Sequence, residues 1–250
     1  MLIYKKRSIT SIWKDVLGVM RRHGFNNVGY AGYPADRWQF NEQNKSSLSR
    51  KLFNYNNKPF SGGLSSAPAE MSQGYFSGVL PSDPLITYVE ESESGNIISS
   101  DHFYQKREYQ LVNSFFKDWN TAFRVVVPLP TMSEHWRPVL SASGGLNHRE
   151  GRSMLAAHSG VLMEQLLGYN LELMLHHRDF FNPFRAYQVF SQQAQDVLRL
   201  ISSGFTNKEA AEHLGLTQDG IKYHLKTMRH ALGARNIAEL VALSKDLQII

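Results

Sequence analysis

Apolar residues recur at helical spacing near the start of the chain: Ile9, Ile12-Trp13, Val16-Leu17 and Val19-Met20. That pattern predicts an amphipathic helix closed by His23-Gly24. Strand-like runs follow at Val28–Tyr33, Leu85–Val89, Arg124–Leu129 and Val139–Ser143. Helical periodicity returns near 105–122 and over 149–175, the latter an apolar face from Met154 to Leu175. Helices alternating with such strands predict helix layers against an antiparallel sheet. The stretch Asn41–Ala67 is rich in Asn, Ser and Gly and is expected to be loop or irregular helix. Residues 176–188 hold charged side chains and Pro183, which suits an interdomain linker.

The last 60-odd residues are the most regular. Val197, Leu198 and Leu200-Ile201 sit at helical spacing and stop at Ser202-Ser203-Gly204. Thr206 and Glu209 form a capping-box pair: the hydroxyl can accept from the Glu209 amide, and the carboxylate from the Thr206 amide. A short helix through Ala210, Ala211 and Leu214 is expected to end at Gly215, and another opens at Thr217. Its buried face is Ile221, Leu225, Met228 and Leu232, and Gly233 closes it. A last amphipathic segment carries Ile237, Leu240, Val241 and Leu243. Two short helices around a Gly, inside a four-helix unit, form the helix-turn-helix pattern, although any small helical bundle shares these periodicities. The expected fold is therefore α+β. An α/β/α sandwich around an antiparallel sheet occupies 1–175, a linker 176–188, and an all-α four-helix domain 189–250.

Composition narrows the chemistry. The 250 residues carry 27 Lys+Arg against 22 Asp+Glu, and no Cys. Absence of Cys removes disulfide scaffolds, thiolate metal sites and thiol nucleophiles, and fits a reducing cytoplasm. No apolar run approaches the ~20 residues that span a bilayer, and no secretory apolar block follows Lys5-Lys6-Arg7, so no membrane association is expected. The net +5 lies mostly in residues 1–185, with 20 basic and 16 acidic side chains; residues 186–250 hold 7 and 6. Within that nearly neutral segment, Lys222, Lys226 and Arg229 share one helical stripe. The ten His show no HExxH spacing, and there is no G-x-S-x-G elbow, P-loop or GxGxxG, so no enzyme, cofactor or metal is expected.

Residue identity goes further. The run Phe190-Ser-Gln-Gln-Ala-Gln-Asp-Val-Leu-Arg-Leu-Ile-Ser-Ser-Gly-Phe-Thr-Asn-Lys-Glu-Ala-Ala-Glu-His-Leu-Gly-Leu-Thr-Gln-Asp-Gly-Ile-Lys-Tyr-His-Leu-Lys226 closely resembles the LuxR-type helix-turn-helix domain. The resemblance implies a DNA-binding transcriptional regulator, with Lys222, Tyr223 and Lys226 facing the bases and Gln218 beside them. Thr217 at the helix N-terminus is expected to hold a phosphate with backbone amides, and Arg229 and Arg235 to contact the DNA backbone or stay exposed. A Lys can donate to guanine and a Gln can pair with adenine in the major groove. His224 is expected to pack structurally. One domain covers few base pairs, so a homodimer on two half-sites is expected. Ile237, Leu240 and Val241 are either its interface, as the family implies, or core. RNA polymerase is a further candidate partner. Gly220 stands where the family has Thr.

A second resemblance covers the first domain. Ala67-Pro-Ala-Glu-Met71-Ser-Gln-Gly-Tyr75, with Asp83-Pro84 following, resembles the autoinducer-binding domain of LuxR-family quorum-sensing receptors. Phe123–Leu129 and Val139–Ser143 are similar to that family's later strands. The family's acyl-homoserine-lactone pocket implies ligand contacts at Asp83, Tyr75 and Ser141. Met71 stands where the family has a Trp donor to the lactone carbonyl, and the Tyr75–Asp83 spacing is one residue short. The resemblance thus implies a small-molecule signal other than a standard acyl-homoserine lactone. The alternatives are a lactone receptor with a rearranged pocket, and a ligand-independent regulator whose first domain only dimerises. Asp83 before Pro84 is, on its own, also a plain turn or cap residue.

Overall fold

The structure, a computed structural model, describes residues 6–35, 62–100, 107–186 and 188–250. The described residues fall into two compact units, one of residues up to Phe181 and one from Asn182 onwards.

The first unit is built on a five-stranded antiparallel sheet of order β2-β1-β5-β4-β3. Its strands are β1 (Asn27–Pro34), β2 (Gly63–Ser65), β3 (Ile98–Ser99), β4 (Phe123–Pro128) and β5 (Trp136–Gly144). The central strand β5 pairs Tyr30 with its Leu140 on one side and Val126 with its Ser141 on the other. Because side chains alternate across a sheet, the register sorts them by face. Tyr30, Leu140, Ala142 and Val125 lie on one face, and Asn27, Ser141, Ser143, Arg124 and Val126 on the other.

The first face is covered by α1 (Ile9–Arg22) and α5 (His148–Phe181), which pack together. Ser8 caps α1 by accepting from the Ser11 amide at 3.2 Å. Asn147 and Glu150 cap α5 reciprocally, each accepting from the other's amide. The buried Tyr30 hydroxyl donates to Asn170 Oδ1 of α5 at 2.7 Å, while its ring stands edge-on to Phe181. Burial of that phenol raises its pKa far above the usual range. Gly151 lets α5 approach the sheet, since a Cβ there would lie 2.5 Å from the Phe123 ring.

The opposite face is covered by α2 (Ala69–Gly74), α3 (Pro84–Glu91) and α4 (Gln110–Asp118). A single π turn (Tyr75–Val79) and a 3-10 turn (Leu80–Ser82) join α2 to α3. The unit is thus the expected α/β/α sandwich, with one local correction. The run 85–89, expected as a strand, is helical: Asp83 accepts from the Leu85 amide as N-cap and Pro84 takes the first helical position. Leu85 and Val89, four apart, share one face and are buried with Ile98 and Val126.

The long helix α5 runs six residues past its expected end, through His176–Phe181. Asn182 then starts the second unit: its carboxamide donates to the Leu247 carbonyl at 2.8 Å and accepts from the Phe184 amide at 2.9 Å. A short α6 (Pro183–Ala186) follows, so the stretch expected as a linker is largely helical. The bundle beyond comprises α7 (Gln192–Ser202), α8 (Asn207–Leu214), α9 (Gln218–Leu232) and α10 (Ile237–Asp246). Gly204, Gly215 and Gly233 end the first three with positive φ, as anticipated from their positions. The expected loop or irregular helix of 41–67 lies outside the described residues up to 61, and Gly63–Ser65 within it form β2; residues 105 and 106 of the helix expected over 105–122 also lie outside the described residues.

Candidate nucleic-acid interface and cavity

Helix α8 starts on the capping box: the Glu209 amide donates to Thr206 Oγ1 at 3.3 Å, and the Thr206 amide to Glu209 Oε2 at 2.7 Å. Hydrogen bonds from the Thr206 amide and hydroxyl hold the Glu209 carboxyl below its usual pKa. Ala210 and Ala211 are buried where α8 packs on α9; their small side chains let the two helix axes approach.

Helix α9 turns Ile221, Leu225, Met228 and Leu232 into the core, as its periodicity predicted. Thr217 caps it, its Oγ1 accepting from the Gly220 amide at 3.0 Å. The opposite side exposes Gln218, Lys222, Tyr223 and Lys226, while Arg229 is half-buried. Tyr223 is 66% exposed. The half-buried His224 ring stands edge-on to it. One neighbour escaped sequence reasoning: Asp219 pairs with Lys222 at 2.9 Å, although their i,i+3 spacing would have revealed it. Both are well exposed, so the pair contributes at most ~1 kcal/mol and leaves Lys222 free to exchange partners.

Arg235 is tied to Glu239, its Nε donating to Oε2 at 3.0 Å. In α10, Leu240 is completely buried, which agrees with the core alternative expected for it; Ile237 and Val241 are half-exposed.

In the first unit, Met71, Tyr75, Asp83 and Ser141 line one cavity of about 90 Å³ on the sheet face covered by α2 and α4. These four residues are thus brought together as expected. Their chemistry differs from the implied one. The Asp83 carboxylate is engaged on both oxygens. Oδ1 accepts from the Leu85 amide at 3.1 Å and from Arg124 Nη2 at 3.4 Å. Oδ2 accepts from Arg124 Nη1 at 2.6 Å and the Tyr75 hydroxyl at 2.9 Å.

The ion pair is sealed, its side chains 6% and 1% exposed. The Arg124 guanidinium lies 3.9 Å from the centre of the Phe116 ring, a cation–π contact. Burial and the Asp83 charge keep the Tyr75 phenol protonated, its pKa well above the usual value. Arg124 was not singled out in the sequence, because it stands 41 residues from Asp83 inside a strand that otherwise reads as apolar. No group of three or more His, Asp or Glu that could hold a metal occurs among the described residues. No described helix is long and apolar enough to cross a membrane.

Residues 188–244 match the family described as "Bacterial regulatory proteins, luxR family". No curated protein matches the chain. Among solved structures, the chain is similar to a crystal structure of Escherichia coli SdiA at 15% identity and TM-score 0.49, over 98% of this chain and 93% of that one. It is also similar to SdiA in complex with octanoyl-rac-glycerol, at 14% identity and TM-score 0.44, over 97% and 90%.

Proposed function

We propose that this chain, whose residues 188–244 form a luxR-family helix-turn-helix domain, is a transcription regulator that binds double-stranded DNA through α9 and answers to a small-molecule signal held in its first domain. The observation that carries the DNA part is the exposed stripe of Gln218, Lys222, Tyr223 and Lys226 on a helix anchored by five buried residues. A helix so presented fits the major groove, and its lysines can reach base edges. Thr217 at the N-terminus would sit beside a phosphate, where backbone amides and the helix dipole favour an anion. Arg229 would steady the complex through the DNA backbone.

The functional division follows the domains: residues 1–175 for the signal, 189–250 for DNA. Two copies would be needed to read two half-sites, with Ile237 and Val241 as candidate contacts between them. RNA polymerase is a candidate partner at a promoter, and the cytoplasm the expected place of action.

The signal is proposed to differ from a standard acyl-homoserine lactone. Asp83, which would accept the ligand's amide hydrogen in a lactone receptor, is saturated by Arg124, Tyr75 and Leu85. Met71 offers no donor. A buried polar group left unpaired costs about 1–3 kcal/mol.

The test is binding of Lys222→Ala and Lys226→Ala to a duplex selected from a random pool by the wild-type protein. Each substitution should weaken binding by about 1–3 kcal/mol if it removes a base contact, with far-UV circular dichroism unchanged. Wild-type affinity in both variants would remove α9 as the reading helix.

A further inference from the structure

We infer that the cavity of the first unit selects an uncharged, hydroxylated small molecule, read by Asn27, Ser141 and Ser143 on the sheet, while Asp83 and Arg124 neutralise one another instead of the ligand. This rests on the reading of that unit as a signal receptor.

The charge of the site comes first. Asp83 and Arg124 are the charged residues among those lining the cavity, and they form one buried pair. Their sum is zero. A carboxylate or ammonium ligand would therefore meet no free counter-charge among the described residues of the cavity, an arrangement proteins avoid. The pair cannot readily open to supply one, because a carboxylate has about four acceptor positions and Asp83 already meets four donor atoms. A ligand N–H consequently finds no acceptor there.

The unspent polar capacity lies on the sheet. Ser143 is only 5% exposed and lines the cavity, yet among the described residues nothing bonds to its hydroxyl. Its oxygen is not one of the sealed, unpartnered polar atoms of the described residues, so it opens on the cavity, where a bound molecule can reach it. The strand register sets Asn27 directly opposite Ser143, and Gly29 opposite Ser141. Neighbours across a pair of strands stand about 5 Å apart at Cβ, so Asn27 and Ser143 can reach one group together. Gly29, lacking a side chain, leaves space beside Ser141 at the more exposed end. The side chains of Asn27 and Ser141 likewise have no protein partner among the described residues.

Each of these three groups both donates and accepts. A hydroxyl on the ligand matches that double capacity, whereas a carbonyl or an amide N–H uses half of it. Met71, Leu85 and Phe116 supply an apolar wall for the rest of the molecule.

Three six-carbon probes separate the possibilities on the full-length protein: hexane-1,2-diol, hexanoate and N-hexanoyl-homoserine lactone. Binding is measured by calorimetry and ligand-observed NMR, on wild type, Ser143→Ala and Asn27→Ala. The diol should bind about tenfold or more tighter than hexanoate, and lose about fivefold or more in each variant, the scale of one lost buried hydrogen bond. Tryptophan-fluorescence unfolding of the variants, unchanged from wild type, shows that the fold persists. Equal or tighter binding of hexanoate overturns the inference. So does a diol affinity insensitive to both substitutions, a lactone that binds tighter than the diol and ignores Ser143→Ala, or binding of none of the three.

Affinity for the selected duplex, measured with and without saturating probe, tests the receptor reading separately. Diol binding that leaves DNA affinity unchanged removes the receptor reading and keeps the cavity chemistry. A hexanoate or lactone response at the DNA keeps the receptor and removes the hydroxylated ligand.

Discussion

Removing the Asp83 carboxylate should unfold the first unit far more readily than its single position suggests. In Asp83→Ala the Arg124 guanidinium, 6% exposed, is left with no counter-charge and cannot rotate into water without breaking its stack on Phe116. Breaking one partner of a buried pair costs about 3–5 kcal/mol. Loss of the α3 cap alone would cost ~0.5–2 kcal/mol. The Tyr75 hydroxyl also loses its acceptor. These contributions share one network and overlap, so about 3–5 kcal/mol is expected for the whole. Arg124→Met should cost a similar amount, since it strands the carboxylate.

The double variant Asp83→Ala/Arg124→Met removes both charges. It should cost only about 1–2 kcal/mol, chiefly the cap and imperfect packing, which leaves a large favourable coupling in the double-mutant cycle. Urea unfolding followed by tryptophan fluorescence reports on this unit through Trp13, Trp119 and Trp136. A cost below about 1 kcal/mol for Asp83→Ala, or a double variant whose cost equals the sum of the singles, would refute a buried, mutually dependent pair.

Other outcomes follow from the second unit. A Cβ at Gly220 would meet Thr217 Oγ1 at 3.4 Å and Leu216 Cβ at 3.9 Å, ordinary contacts in a helical position; Gly220→Ala should raise the unit's stability by about 1 kcal/mol in a thermal melt, and a drop would show that α9 needs the missing side chain. The Glu209 carboxyl is held below its usual pKa by Thr206, so its contribution is present above the unfolded value and disappears as pH falls through the lower folded one. Acid melts of Glu209→Gln should therefore lose part of the decline that wild type shows below about pH 4.5; parallel curves would mean that the capping box carries no pH-dependent stability.

The helical half of this protein is legible in its sequence because the signals are local. Caps at Thr206 and Thr217, glycines at 204, 215 and 233, and apolar residues three and four apart each act within a turn or two of chain. The exposed face of α9 follows from the same periodicity, since whatever is not buried in the helix must face outwards. Even the misread run 85–89 carried its own local signal, Asp83-Pro84 as cap and first helical residue, which outweighs the strand preference of the residues behind it.

What the cavity can bind was decided elsewhere. Asp83 and Tyr75 are visible as candidates, but the cation that pairs with Asp83 arrives from β4, 41 residues on, which no local pattern records. The same holds for Leu240, apolar and periodic like its neighbours, whose complete burial depends on the helices packed around α10. Local rules choose the elements because backbone hydrogen bonds and caps are satisfied within a few residues. The partner of a buried charge, and the side of a helix that stays wet, are settled only when distant segments close on one another and exclude the water.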